Sequence, residues 1–206
     1  MEKRYPGLVV FDLDMCLWSP EMYVLNAVPT LKDAIIGRLN DAGDEGVIGI
    51  RTDRGDTVKL FPGALYVLQQ IYAGKYPNIK IAAASSADNA LAVRCAHACL
   101  NILEVIPGVS ARKVFALGWP EGFEGNLQIG REAPLSEHKE RTHFPFLKQY
   151  CGIEYNQMLF FDDCNWSDNV GDVMRGCTGV VGIRTPKGLQ KDEWQYGMDL
   201  FSKLHS

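Results

Sequence analysis

Five short apolar runs punctuate the chain, at residues 8–11, 79–84, 114–117, 158–161 and 180–183. Each has the length of a strand, and none alternates apolar with polar positions. That pattern predicts strands buried on both faces, as in a parallel sheet sandwiched between helices. Helical spacing fills most of the intervals. Pro62, a favourable first helical residue, precedes Leu65, Leu68 and Ile71, and Gly74 supplies the stop. A second helix is predicted from near Asp88 to Leu100, and a third from His143 to Tyr150 with Gly152 behind it. A fourth starts at Ser167 or Asp168 and carries Val170, Val173 and Met174 on one face. Strands alternating with helices define an α/β fold: a Rossmann-like parallel sheet with helices on both faces.

Two segments break the rhythm. Residues 19–61 predict a helix over 30–39, a Gly-rich stretch, then extended runs from Val47 to Ile50 and from Val58 to Leu60. The turn formers Asp53, Arg54, Gly55 and Asp56 join those runs into a β-hairpin. The segment therefore reads as a short insertion after the first strand, a small flap or rudimentary cap, within a single domain spanning 1–206. Residues 119–139, rich in Gly, Pro and Glu, read as a loop.

Composition agrees with this picture. The chain has 206 residues, 47% of them hydrophobic and 22% charged, as expected of one globular domain and not of a disordered chain. A net charge of −4 without a long Lys/Arg cluster argues against nucleic-acid partners. No run approaches a membrane span, and the apolar run before Asp12 is too short for a signal peptide. Cys16, Cys95, Cys99, Cys151, Cys164 and Cys177 form no C-x-x-C pair and no zinc-ligand spacing, which fits a reduced, cytoplasmic setting.

The chemistry lies where the apolar runs end. The first ends in Asp12-Leu13-Asp14, the second in Ser85-Ser86, and the fourth in Asp162-Asp163. In an open parallel sheet, ligands bind outside the carboxyl ends of the strands. A single Asp after a strand is most often a turn former or helix cap. Two acidic pairs and a serine pair in equivalent places are better explained by one shared pocket. Several carboxylates in one pocket require a cation, and an all-oxygen donor set favours Mg²⁺.

These residues resemble the haloacid dehalogenase superfamily. Val9-Val10-Phe11-Asp12-Leu13-Asp14 is similar to its first motif, Ser85 to its second and Phe160-Phe161-Asp162-Asp163 to its fourth. Leu17-Trp18, Arg54-Gly55, Leu60-Phe61-Pro62, Ala82-Ala83-Ala84-Ser85 and Thr142-His143-Phe144 follow in the order seen in its magnesium-dependent phosphatase branch. The resemblance implies that Asp12 is the nucleophile and a Mg²⁺ ligand. Asp14 would be the acid and base, its carbonyl touching the metal. Ser85 would hold the phosphoryl oxygens, and Asp163, with Asp162 beside it, would complete the metal shell. The branch also places a lysine two positions before its Thr-His-Phe run. Here that position is Glu140, with Lys139 before it and Arg141 after. The resemblance implies Lys139 with a one-residue slip, and Arg141 is the other candidate. Ser86 stands where the branch often has an arginine.

The substrate implied is a phosphorylated small molecule, such as a sugar phosphate, or a phosphotyrosine protein. The oligomeric state is not readable. Trp18 is a candidate for the pocket wall, and Arg51, Arg54 and Lys59 on the hairpin are candidates to read an anionic substrate. Cys16 and Cys164 flank the acidic motifs and raise the question of redox sensitivity. His143 reads as a structural residue at a helix start. A dehalogenase lacks the second aspartate of the first motif, so Asp14 argues against that chemistry. A phosphomutase shares the D-x-D, and a non-catalytic phosphatase-like module is the remaining alternative.

Overall fold

The computed structural model describes residues 4–205. In chain order, β1 (Leu8–Phe11) is followed by β2 (Trp18–Ser19), β3 (Ala34–Arg38), β4 (Glu45–Arg51) and β5 (Thr57–Leu60). Next come α1 (Pro62–Tyr72), β6 (Lys80–Ser85) and α2 (Ala90–Ile102). They are followed by β7 (Glu104–Ile106), β8 (Val109–Ser110), α3 (Ala111–Phe115), β9 (Leu127–Ile129) and α4 (His143–Cys151). The chain ends with β10 (Met158–Asp162), α5 (Asn169–Gly176), β11 (Val181–Arg184) and α6 (Lys191–Leu204).

The main sheet is parallel, in the order β11-β10-β1-β6-β9. The period of two along β1 divides its side chains between two cores. Val9 and Phe11 face a large cluster that includes Ala64, Val67, Cys95, Phe115, Trp194 and Phe201 from α1, α2, α3 and α6. Leu8 and Val10 face a smaller cluster with Phe144 and Leu147 of α4 and Val170 and Val173 of α5. Burial on both sides explains why these strands read as unbroken apolar runs. Within the larger core, Phe11 stacks on Phe161 at 5.7 Å between ring centroids, and Trp194 stacks on Phe161 at 5.6 Å.

The insertion forms a second sheet, antiparallel in the order β2-β5-β4-β3. The hairpin expected from Val47 to Leu60 is its centre. The helix expected over 30–39 is absent. Thr30 and Asp33 close a capping box around one 3-10 turn, and the chain then extends as β3, where Ile35 and Ile36 pair with β4. The cap opens only a single turn, because β-branched residues with a free strand edge beside them favour extension.

Two further expectations are corrected. Residues 114–117 do not form a strand. Ser110 accepts a hydrogen bond from the Lys113 backbone N–H and caps α3, which ends at Phe115. The fifth strand is instead β9, from the segment expected to be loop. It has three residues and a glutamine in the middle, and its pairing with Ala83–Ser85 holds it at the sheet edge. The C-terminal helix α6 was not predicted, although Trp194, Gly197, Met198 and Phe201 carry helical spacing and are all buried.

Candidate active site

Three neighbouring strands, β10, β1 and β6, deliver their carboxyl ends to one place. Phe11 sits in register with Phe161 and with Ala83, so Asp12 emerges level with Asp162 and one residue short of Ser85. The Asp12 backbone N–H still donates to the Phe161 carbonyl at 2.9 Å, so Asp12 is held by the ladder itself. Beyond it the chain reverses tightly, with Met15 in the left-handed region at φ 58°. Asp12, Asp14, Ser85, Ser86, Lys139 and Asp163 line one pocket of about 430 Å³.

Lys139 is the hub. Its buried ammonium donates to Asp12 Oδ1 and to Asp162 Oδ2, each at 2.6 Å. Hydrogen bonds between Ser136 and Thr142 close the loop around Lys139, and the Phe144 backbone N–H donates to the Lys139 carbonyl at 3.0 Å. Arg141 is exposed and pairs with Glu140 at 3.2 Å. Of the two candidate cations, the structure therefore brings Lys139 into the site.

Asp162 is fully buried and its oxygens are occupied. Besides Lys139, it accepts from the Cys164 backbone N–H at 2.8 Å and from Asn169 Nδ2 at 3.2 Å. It does not line the pocket, and its hydrogen bonds turn it toward Lys139, Cys164 and Asn169. Trp18 also departs from expectation. It is buried and outside the pocket lining, and its indole N–H donates to Asp14 Oδ1 at 2.7 Å while the Met22 backbone N–H donates to Asp14 Oδ2 at 2.7 Å. Trp18 thus aims a side chain of the site from behind. Arg51, Arg54 and Lys59 of the hairpin also lie outside the pocket lining.

The electrostatics show an excess of negative charge. Burial raises the Asp12 pKa, and repulsion from Asp162 and Asp163 adds to it against the pull of Lys139. Burial alone would lower the Lys139 pKa, but Asp12 and Asp162 outweigh that and hold it charged. Burial and then Asp162 push Asp163 up to about 6. Three carboxylates share one ammonium, an imbalance that a divalent cation would offset. Among the described residues, no three or more His, Cys, Asp or Glu side chains group as a metal cage. Mg²⁺ needs none, because it takes one or two carboxylates and completes its octahedron with water and phosphate oxygens. Asp12 and Asp163 line the same pocket and supply two carboxylates of that kind.

Burial raises the Asp14 carboxyl to about 7 against the opposing hydrogen bonds from Met22 and Trp18. A carboxyl at that value can both give and take a proton near neutrality. Burial raises the Cys16 thiol and pushes Cys164 up to about 12, so neither is a thiolate at neutral pH.

His143 ties the Ser85 side of the pocket together. Its Nε2 lies 3.2 Å from the Ser85 carbonyl and 3.0 Å from the Gly130 carbonyl, and Nδ1 lies 3.1 Å from Thr142 Oγ1. Two acceptors at Nε2 require that nitrogen to carry the proton. The imidazole thus links the ends of β6 and β9 to the start of α4. Burial depresses its pKa from 6.5 to about 4. The fold binds neutral His143, so its contribution is complete above pH 6.5 and is lost as pH falls through about 4. Acid should thus cost up to about 3 kcal/mol across that window. The Asp14 and Asp163 carboxyls, raised to about 7 and about 6, shift stability the other way over the same range. The measurement is therefore the difference in melting temperature between the unmodified protein and His143→Gln, which should narrow as pH falls from 7 to 4.

Sequence reasoning missed Glu21, Tyr23, Asp88, Arg131, Trp166 and Asn169, all of which line the pocket. Only Asn169 carried a signal, as a polar residue at a helix start shortly after an acidic strand end.

The fold and the site describe a phosphatase, and the chain belongs to the acid phosphatase family, whose profile matches residues 4–204. Magnesium-dependent phosphatase 1 of Homo sapiens is 27% identical over 203 residues, covering 98% of this chain and 91% of that protein. The N-terminal, phosphatase-domain part of a Bacteroides fragilis protein, solved in complex with Mg, superposes with a TM-score of 0.47 at 15% identity. That alignment covers 96% of this chain and 41% of the solved one. No helix of the described residues is long and apolar enough to cross a membrane.

Proposed function

We propose that the protein is a magnesium-dependent phosphatase that hydrolyses phosphate monoesters through an aspartyl-phosphate on Asp12. The observation that carries this reading is the ammonium of Lys139 at 2.6 Å from Asp12, in the pocket that Asp14, Ser85 and Asp163 also line. A nucleophilic carboxylate needs a neighbouring cation to approach an anionic phosphate, and Lys139 supplies one. The relative named for magnesium dependence supports Mg²⁺ as the second. Asp12, Asp163 and the Asp14 carbonyl would hold it, and when bound it screens phosphate charge and orients the phosphoryl group.

In the first step an Asp12 oxygen bonds to phosphorus while the bond to the leaving oxygen breaks, and Asp14 gives that oxygen its proton. In the second step water attacks phosphorus, Asp14 takes the water proton, and the bond to Asp12 breaks. Ser85 positions the phosphoryl oxygens through both steps, and Asp162 and Asn169 keep Lys139 aimed at Asp12. Trp18 and the Met22 N–H hold Asp14 on the leaving-group side.

The test is release of inorganic phosphate from an aryl phosphate. Release should stop in excess chelator and return with excess Mg²⁺. Acid quenching of the first turnover should trap a phosphorylated chain that hydroxylamine cleaves, as an acyl-phosphate requires. Metal-independent release, or turnover with no trapped acyl-phosphate, would overturn the reading. Transfer of the phosphoryl group to an added sugar in place of water would identify a phosphomutase.

A further inference from the structure

The pocket is larger than a phosphoryl group needs, and its outer part has a distinct chemistry. Beyond the catalytic floor, the wall is made by Glu21, Tyr23, Asp88, Arg131, Glu137 and Trp166. Three of these are carboxylates and one is a cation. Arg131 is already engaged: its Nε donates to the Asp88 carbonyl at 3.4 Å, and Nη2 lies 3.8 Å from Asp88 Oδ2. Among the described residues, Glu137 Oε1 has only His138 Nε2 beside it, at 3.7 Å, so Glu21 and Glu137 leave the mouth negative when that imidazole is neutral. An additional anionic group on a substrate would meet repulsion there, whereas a neutral or cationic one would not.

The same wall carries two exposed rings. Trp166 is 78% exposed and Tyr23 47% exposed. The Trp166 indole N–H donates to Glu21 Oε1 at 2.7 Å, which joins the loop after β10 to the segment after β2. That bond satisfies the ring's only polar atom and fixes its position, leaving its faces free for contact. A large aromatic held at the rim of a polar pocket contributes stacking area that the fold itself does not use.

We propose that Trp166, Tyr23, Glu21 and Glu137 form the leaving-group subsite of this phosphatase. The subsite selects monoesters whose leaving group has a flat apolar face and carries no negative charge. This rests on the phosphatase reading of the same pocket. Trp166 and Glu21 are specificity-determining residues and touch no reacting atom.

The experiment compares three para-substituted phenyl phosphates at pH 8, bearing hydroxymethyl, aminomethyl or carboxylate groups, with ethyl phosphate as the substrate lacking a ring. Phosphate release is followed with saturating Mg²⁺. In the unmodified protein the carboxylate substrate should have a kcat/KM about 10-fold or more below that of the aminomethyl substrate. The Glu21→Gln, Glu137→Gln double variant keeps an acceptor for Trp166 and should shrink this gap to about 3-fold. Comparing the two proteins on the same substrates cancels the intrinsic reactivity of each leaving group. Trp166→Ala should lower kcat/KM for the phenyl substrates about 10-fold more than for ethyl phosphate, through KM and not kcat. Trp166→Phe keeps a ring without the bond to Glu21 and should lose less. The same spread among the three phenyl substrates in the double variant as in the unmodified protein, or an equal loss on ethyl phosphate in Trp166→Ala, would overturn the subsite while leaving the phosphatase reading intact. No Mg²⁺-dependent release from any of the four would reject the phosphatase reading, and the subsite with it.

Discussion

Asp12→Asn should lower phosphate release by on the order of 10⁴-fold or more while the chain stays folded. The two halves of this expectation come from the same local charge balance. The amide keeps an oxygen for the Lys139 ammonium, so the contact at 2.6 Å retains an acceptor. It removes one of three carboxylates crowded around that ammonium, the crowding that raises the Asp12 pKa. Thermal stability should therefore be equal to or above that of the unmodified protein. The amide cannot form an acyl-phosphate, so activity should vanish with the trapped intermediate. Activity retained in the variant would place the nucleophile elsewhere. A collapsed melt would show that the Asp12 charge serves the fold.

Lys139→Met should damage both properties. Methionine approximates the volume of the lysine stem but leaves Asp12 and Asp162 buried without their cation. Stranding buried charge in this way costs about 3–5 kcal/mol. Removing the cation next to the reacting phosphoryl group should also lower kcat/KM by on the order of 10³-fold. Adding Asp162→Asn separates the effects, because the second change removes a stranded carboxylate that the geometry assigns to positioning Lys139. The double variant should recover much of the stability, read from denaturant midpoints, and little of the activity. Arg141→Met should change kcat/KM by less than about twofold, because that side chain is exposed and paired with Glu140. A large loss in Arg141→Met, or full recovery of activity in the double variant, would transfer the charge-neutralising role away from Lys139.

The two predictions differ in how visible their residues are in the sequence. Asp12 follows an apolar run that can only be a buried strand, and Asp14 lies two residues beyond it, so their place at a strand end follows from local patterning. The lysine is different. It lies 127 residues from Asp12 in a loop of irregular composition. Its selection over Arg141 depends on how the loop that Ser136 and Thr142 close turns each of the two side chains. No periodicity encodes which of two adjacent cations points inward. The same limit explains β9, whose three residues become a strand only because β6 offers an unpaired edge. It also explains the segment at 30–39, where a valid cap opens a single turn before strand pairing takes over.

By itself the sequence determined the alternation of strands and helices, the acidic and serine residues at strand ends, and the kind of chemistry those residues can support. These depend on neighbours a few positions apart, where side-chain period and chain length decide the outcome. The tertiary structure decided the contacts of Asp162, Trp18 and Trp166, and it placed Lys139, which the family resemblance already favours, against Asp12. Three of these placements are set by hydrogen bonds between distant segments, Lys139 to Asp12, Lys139 to Asp162 and Trp166 to Glu21, and the fourth, Trp18 to Asp14, by the tight turn after β1. Such bonds depend on where packing leaves each side chain pointing, which residue type and spacing along the chain do not specify.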